Sequence, residues 1–252
     1  VGVYFSNTGG EPSVPPVVAT HKGPTAARAL LNMGQNAEAV TYASTVDPAF
    51  EFWSYFSDNS AAENNIFWGR LSTGAPGSNS ATITYTPFLA YDGDPRVPRP
   101  ATEERGMNAD SVYLPNSPLS FSTYDGTATG ADFSQQADII IASGLEAQYI
   151  VAEAEGLTPT NLDFVNDRRA IGGMLPLVAP TADEYMAALR GQRGLDLYLS
   201  GHRMGDLRRY IRFHGVDLFP SGPYPNTTTG VTYGDQTCWP LNLAEINGNP
   251  NV

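Results

Sequence analysis

The sequence predicts a mainly α-helical fold of helical hairpins, with a long loop-rich insert and a few short strands. Three observations predict it. Apolar residues recur at helical spacing in two blocks, 23–47 and 138–213, and start and stop signals mark the helices within them. Between the blocks, residues 50–135 are broken up by proline and glycine, and their short alternating runs read as strands. The closing stretch, 214–252, is a loop rich in Gly, Pro, Asn and Thr. Residues 1–252 read as a single domain.

Each element has its own signal. Residues 1–22, with Gly9-Gly10, Pro12, Pro15 and Pro16, read as extended chain. The first helix begins at GPTAARALLNMG. Pro24 suits its first turn, where the missing N–H costs nothing, and Gly34 takes the left-handed stop. A second helix runs from Asn36 to Val46, with Ala39, Val40 and Ala43 on one face, and ends before Pro48. Small residues at the contact let the two helices close into a hairpin. In the insert, FEFWSYF and NNIFWGR are rich in aromatics and TITYTPF alternates like a strand. A loop-rich segment of this length is uncommon without a job.

Helices resume after Ile139-Ile140-Ile141. Ser143 and Glu146 fit a capping box, for a helix that runs to Glu155 and closes at Gly156. The next helix spans Asn161 to Ala170, before Gly172-Gly173. Thr181 and Glu184 form a second capping box, and that helix should reach about Leu199. Ser200-Gly201 breaks the chain, and His202 to Phe213 is helical again.

Composition narrows the function classes. The formal net charge of −12 repels phosphate backbones, so no nucleic-acid partner is expected. Lys22 is the only lysine, and Arg190, Arg193, Arg203, Arg208, Arg209 and Arg212 crowd into one stretch. Arginine suits fixed, partly buried ion pairs, so this stretch reads as scaffolding. No apolar run is long enough for a membrane helix, and no basic, apolar leader opens the chain at Val1. The single cysteine, Cys238, excludes an intramolecular disulfide and a cysteine-based zinc site.

Catalytic motifs are missing. There is no G-x-S-x-G, no phosphate loop and no H-E-x-x-H, and His21, His202 and His214 lack metal-ligand spacing. His202 and Asp206 are i, i+4, which reads first as a helix-surface pair. Asp92-Gly93-Asp94 can open a calcium loop but lacks the further ligands of an EF-hand, so it reads as a turn. No cofactor is expected, and calcium at that turn is the one candidate. A glycosidase needs two carboxyls about 5–9 Å apart across a sugar. Glu153 and Glu155, two apart on a helix, point in different directions.

Aromatics give the better substrate signal. A Tyr or Trp plane covers the C–H face of a sugar while polar neighbours bind its hydroxyls, with no catalytic group needed. Tyr113 and Tyr124, flanked by Pro, Ser, Asn and Gly, are the leading surface candidates, with Tyr91 and Trp53 beside them. Trp53, Phe56 and Trp68 read first as core.

In the C-terminal third, ASGLEAQYIVAEAEG with FVNDRRAIGG, then LRGQRGLDLYLSGHRMGDLRRY, then the closing WPLNLAEINGNPNV, together resemble the SusD/RagB family of surface nutrient-binding lipoproteins. ASGLEAQYIVAEAEG followed by FVNDRRAIGG is similar to that family's Ala-Glu-Ala helix and Asn-x-x-Arg-x-x-x-Gly helix, with Glu153, Asn166, Arg169 and Gly173 in place. LRGQRGLDLYLSGHRMGDLRRY matches at Arg193, Gly201, Arg203, Asp206, Leu207 and Arg209, while Gln192, Asp196 and Ser200 stand where glutamate is usual. WPLNLAEINGNPNV matches the terminal motif at Pro240, Glu245, Ile246, Asn249 and Pro250. The AARALLNMG hairpin looks like a tetratricopeptide-like pair, and YDGDPR like the family's Asp-x-Arg element.

The resemblance implies a SusD-like, non-catalytic protein of the outer-membrane surface. It would bind a glycan or other oligomeric nutrient and work with a TonB-dependent, SusC-like transporter. Family members run to about twice this length, which implies the C-terminal half of a longer protein. Their lipidated N-terminal cysteine cannot be Cys238, so membrane attachment would come only through an N-terminal lipid anchor. Arg193, Arg203, Asp206, Arg209, Glu245 and Asn249 are expected to hold the scaffold, with Arg203 and Asp206 paired at i, i+3. A self-assembling surface protein on the same scaffold is the alternative, and a polysaccharide hydrolase the least favoured reading.

Overall fold

The computed structural model describes residues 16–57, 59–60, 62–63, 94–96, 138–198, 200–223 and 232–238. These are mostly helical, with α1 (Pro16–Asn32), α2 (Asn36–Ala43), α3 (Gly144–Glu155), α4 (Pro159–Ile171), α5 (Ala182–Asp196) and α6 (Arg203–Arg209). Strands β1 (Glu51–Ser54) and β2 (Ile139–Ser143) pair antiparallel. The expected strand TITYTPF lies outside the described residues.

Several boundaries differ from expectation. The first helix starts at Pro16, so the extended reading of 1–22 stops short, and Pro24 sits inside the helix. Pro16 itself takes the first helical position, where a proline is cheap. Pro24 forgoes a backbone hydrogen bond, but Gly23 and Pro24 are both buried, so packing holds that turn. Helix α2 ends at Ala43, and Val46 is buried from the turn that follows. Helix α4 begins earlier than predicted because Thr158 caps Asn161 N at 3.1 Å and Pro159 opens the first turn. Helix α5 stops at Asp196, and α6 runs into a π-helical turn at Tyr210–His214 that ends on Gly215.

Helix α3 is the centre. Its Ala147 and Ile150 pack with Ala27, Leu31, Ala39, Ala43 and Val46 of the α1–α2 hairpin, where alanines allow close approach. Its Tyr149 and Ala152 pack with Val165 of α4 and with Tyr185 and Leu189 of α5. A helix apolar on two flanks needs to be buried on both. Its third face carries Glu146 and Glu153, seven residues and about two turns apart, toward Arg193 of α5 and Arg209 of α6.

The sheet ties the insert to this core. Phe52 pairs with Ala142 and Trp53 with Ile140, leaving Ile141 as the extra residue of a bulge. The Ile141 carbonyl accepts from Arg28 Nη2 at 2.9 Å, so the bulge also meets α1.

Candidate functional site

Two buried ionic clusters flank α3. In the first, Arg193 of α5 donates through Nε to Asp206 Oδ2 at 2.8 Å, and Arg209 Nη2 lies 2.8 Å from Asp206 Oδ1. Arg209 also clamps Glu153 with Nε at 2.7 Å and Nη2 at 2.9 Å, and reaches Asn32 Oδ1 with Nη1 at 2.8 Å. Glu146 accepts from Arg28 of α1 and lies 3.2 Å from His202 Nε2. His214 Nε2 lies 3.2 Å from Glu153 Oε1. Histidines just before α6 and at the end of its π-helical turn thus each face a carboxylate of α3.

Burial alone would raise these carboxyl pKa values. At Glu146, the adjacent His202 imidazole and the Arg28 guanidinium reverse that and hold it at about 2. At Asp206 the charges of Arg193 and Arg209 do the same, again to about 2. Glu153 is lowered against its own burial by His214 and Arg209.

The second cluster starts in the insert. Arg96 donates to both oxygens of Asp94, at 2.9 and 2.7 Å, and through Nη1 to Asp196 Oδ1 at 3.0 Å. Arg168 of α4 clamps the same Asp196 at 2.7 and 2.9 Å, and the Tyr149 hydroxyl donates to it as well. Burial and the Asp196 charge push the Tyr149 phenol well up. Gly172 closes this corner: a Cβ there would lie 2.3 Å from Asp94 Oδ2.

Of the predicted site residues, Arg193, Asp206 and Arg209 come together as scaffold. The Asp206 oxygens are met by Arg193 and Arg209, and Arg203 lies against Gly194. A Cβ on Gly194 would be 3.1 Å from Arg203 Nη1. Trp53 is half-buried against Ile140 and donates to Glu51 Oε2 at 3.2 Å. Tyr91, Tyr113, Tyr124, Glu245 and Asn249 lie outside the described residues. Asp94, the described end of the candidate calcium turn, gives its carboxylate to Arg96. Among the described residues there is no group of three metal-ligating side chains.

Sequence reasoning missed the second role of Glu146. Ser143 caps the Glu146 amide at 3.1 Å as expected, but the carboxylate enters the ionic seam instead of completing a capping box. It also missed the hub at Asp196. The signal there was a carboxylate between Leu195 and Leu197, both buried. Asn166, by contrast, acts at its motif position, bonding Leu177 through both N–H and C=O at 2.8 and 3.2 Å.

A small cleft opens at the end of the seam. It has a volume of about 210 Å³ and is lined by Leu31, Gly34, Asn36, Glu153, Phe213 and His214, with Arg209 in its floor.

The fold is similar to that of two solved structures. One is a SusD superfamily protein from Parabacteroides distasonis ATCC 8503, with a TM-score of 0.58 at 17% identity over 91% of this chain and 60% of that one. The other is a SusD-like carbohydrate binding protein from Bacteroides fragilis NCTC 9343, with a TM-score of 0.54 at 14% identity over 86% of this chain and 58% of that one. The chain has a SusD-like fold. It spans about three fifths of the length of either structure. No family model and no curated protein matches it. Within the SusD-like frame, the ionic clusters are what fix α4, α5 and α6 around α3.

Proposed function

We propose that this SusD-like chain belongs to a non-catalytic protein of the cell surface that captures glycan for a TonB-dependent, SusC-like transporter in the outer membrane. The fold it shares with a structure described as a carbohydrate binding protein carries this reading. The chemistry of the buried carboxylates supports it. Glu146, Glu153, Asp206, Asp94 and Asp196 are each engaged by arginine. A glycosidase acid has to hold a proton near neutral pH, and Glu146 and Asp206 at about 2 do not. In this reading Tyr91, Tyr113, Tyr124 and Trp53 offer aromatic planes to sugar rings. Arg193, Asp206 and Arg209 keep the helical base rigid, with Glu245 and Asn249 fastening the tail. Attachment is through an N-terminal lipid of the longer protein.

The test is retention of oligosaccharides by the folded chain on an immobilised neutral glycan panel, without turnover. Failure to retain any glycan, or release of shortened products, overturns the reading.

A further inference from the structure

The cleft at the end of the seam has the scaffold pair Glu153 and Arg209 in its wall and, with them, Asn36 and Phe213. We propose that it is a subsite for one neutral sugar ring. The proposal rests on the glycan-capture reading and adds to it a place and a ligand class.

Four observations carry it. The first is the cleft's size. At about 210 Å³ it is smaller than the roughly 300–1,000 Å³ of pockets for drug-sized ligands, so it suits a single ring.

The second is the chain geometry that makes the cleft. Phe213 and His214 reach it from the π-helical turn at Tyr210–His214, a rare widened turn of a kind frequent at functional sites. The turn sets His214 edge-on to Tyr210, with ring centroids 5.9 Å apart, and Nε2 against Glu153.

The third is the state of Phe213, which is 42% exposed yet held in position. The Arg212 guanidinium sits 4.9 Å from its ring centroid, and its edge lies over Gly34. Gly34 has φ +79°, and a Cβ there would come within 2.7 Å of Phe213 Cε1. Only glycine serves this turn and leaves the ring where it is. An exposed ring fixed from two sides is preorganised to stack.

The fourth is polarity. Phe213 supplies apolar surface, while Asn36 and His214 supply groups for hydroxyls. That mixture fits a ring with a C–H face and a polar rim. Arg209 in the floor already carries the charges of Glu153 and Asp206. With the whole chain at −12, a neutral ring is favoured over an acidic one.

The experiment is an amide chemical-shift titration of the folded chain with methyl glucoside, methyl galactoside and methyl mannoside, with glucuronate as the acidic comparison. Neutral glycosides should shift Gly34, Asn36, Phe213 and His214, and glucuronate should bind more weakly. Phe213→Ala should weaken binding roughly fivefold to tenfold, the scale of one aromatic contact. Asn36→Ala, at an exposed position, should weaken it about threefold and keep the fold.

Glycoside shifts confined to other residues, or unchanged affinity in folded Phe213→Ala, overturn the subsite and leave glycan capture standing. Shifts at the cleft in a chain that retains no oligosaccharide overturn capture and keep the subsite. Preference for an aromatic peptide over every glycoside overturns the sugar assignment.

Discussion

Helix α3 is held in two different ways on two of its sides. Toward the α1–α2 hairpin it meets buried Ala27, Leu31, Ala39, Ala43 and Val46, an interface of small apolar side chains. Toward α5 and α6 it meets Arg193 and Arg209 through Glu146 and Glu153, and both arginines also hold Asp206 of α6. The apolar side is nondirectional and tolerates small shifts in volume. The ionic side is directional: it fixes which turn of α6 faces which turn of α3, and removing one member leaves a charge buried alone. The first supplies adhesion and the second supplies register.

Acid should separate the two sides most strongly. Glu146 and Asp206 have folded pKa values of about 2, below the unfolded range of about 4. A depressed carboxyl contributes stability that is complete above its unfolded pKa and is lost as pH falls through the folded one. The window is therefore about pH 4 down to pH 2, and the pair should lose up to about 5 kcal/mol together. The facing groups are Arg28, Arg193, Arg209 and His202. Hydrogen exchange of the α6 amides should accelerate before that of α2. Simultaneous loss at both, or acid loss centred above pH 5, breaks the comparison.

Asp206→Ala comes next. It strips Arg193 of its hydrogen-bonded carboxylate in a fully buried setting, and should cost about 3–5 kcal/mol by denaturant midpoint. A loss below about 1 kcal/mol would mean that water reaches the seam and that it is not a register device. On the apolar side, Ile150→Ala removes a fully buried side chain from the alanine-lined interface and should cost about 2–4 kcal/mol. Its acid profile should match that of the unaltered chain, whereas that of Asp206→Ala should flatten.

The two sides also differed in how far the sequence revealed them. The apolar side was legible because Ala39 and Ala43 stand at helical spacing beside a glycine stop. Its start was misread because Pro24 looked like a first-turn proline when Pro16 already filled that place. The ionic side was half legible. Arg193, Asp206 and Arg209 could be marked from their motif, but a motif does not say which carboxylate meets which guanidinium. Glu146 was hidden because a glutamate three residues after a serine has an adequate local explanation. Arg28 and Arg96 reach their partners across 118 and 100 residues, and no local pattern reports a contact of that range. The cleft was not legible at all. It depends on a π-helical turn, and the run from His202 to Phe213 reads as ordinary helix.

Thr181→Ala sets the lower bound of the comparison. Thr181 caps Glu184 N at 3.3 Å, and the Glu184 carboxylate returns to Thr181 N at 2.7 Å, so this capping box is complete where the one at Ser143 is not. Both residues are exposed, and the contact belongs to α5 alone. Its loss should cost about 1 kcal/mol, the ordinary value of a cap. The effect should appear as fraying of the first turn of α5, with the exchange rates of α6 unchanged, because Arg193 anchors the far end of α5 to Asp206. A loss near that of Asp206→Ala would place register in the local start of α5, and the ionic seam would then follow from the fold and not set it.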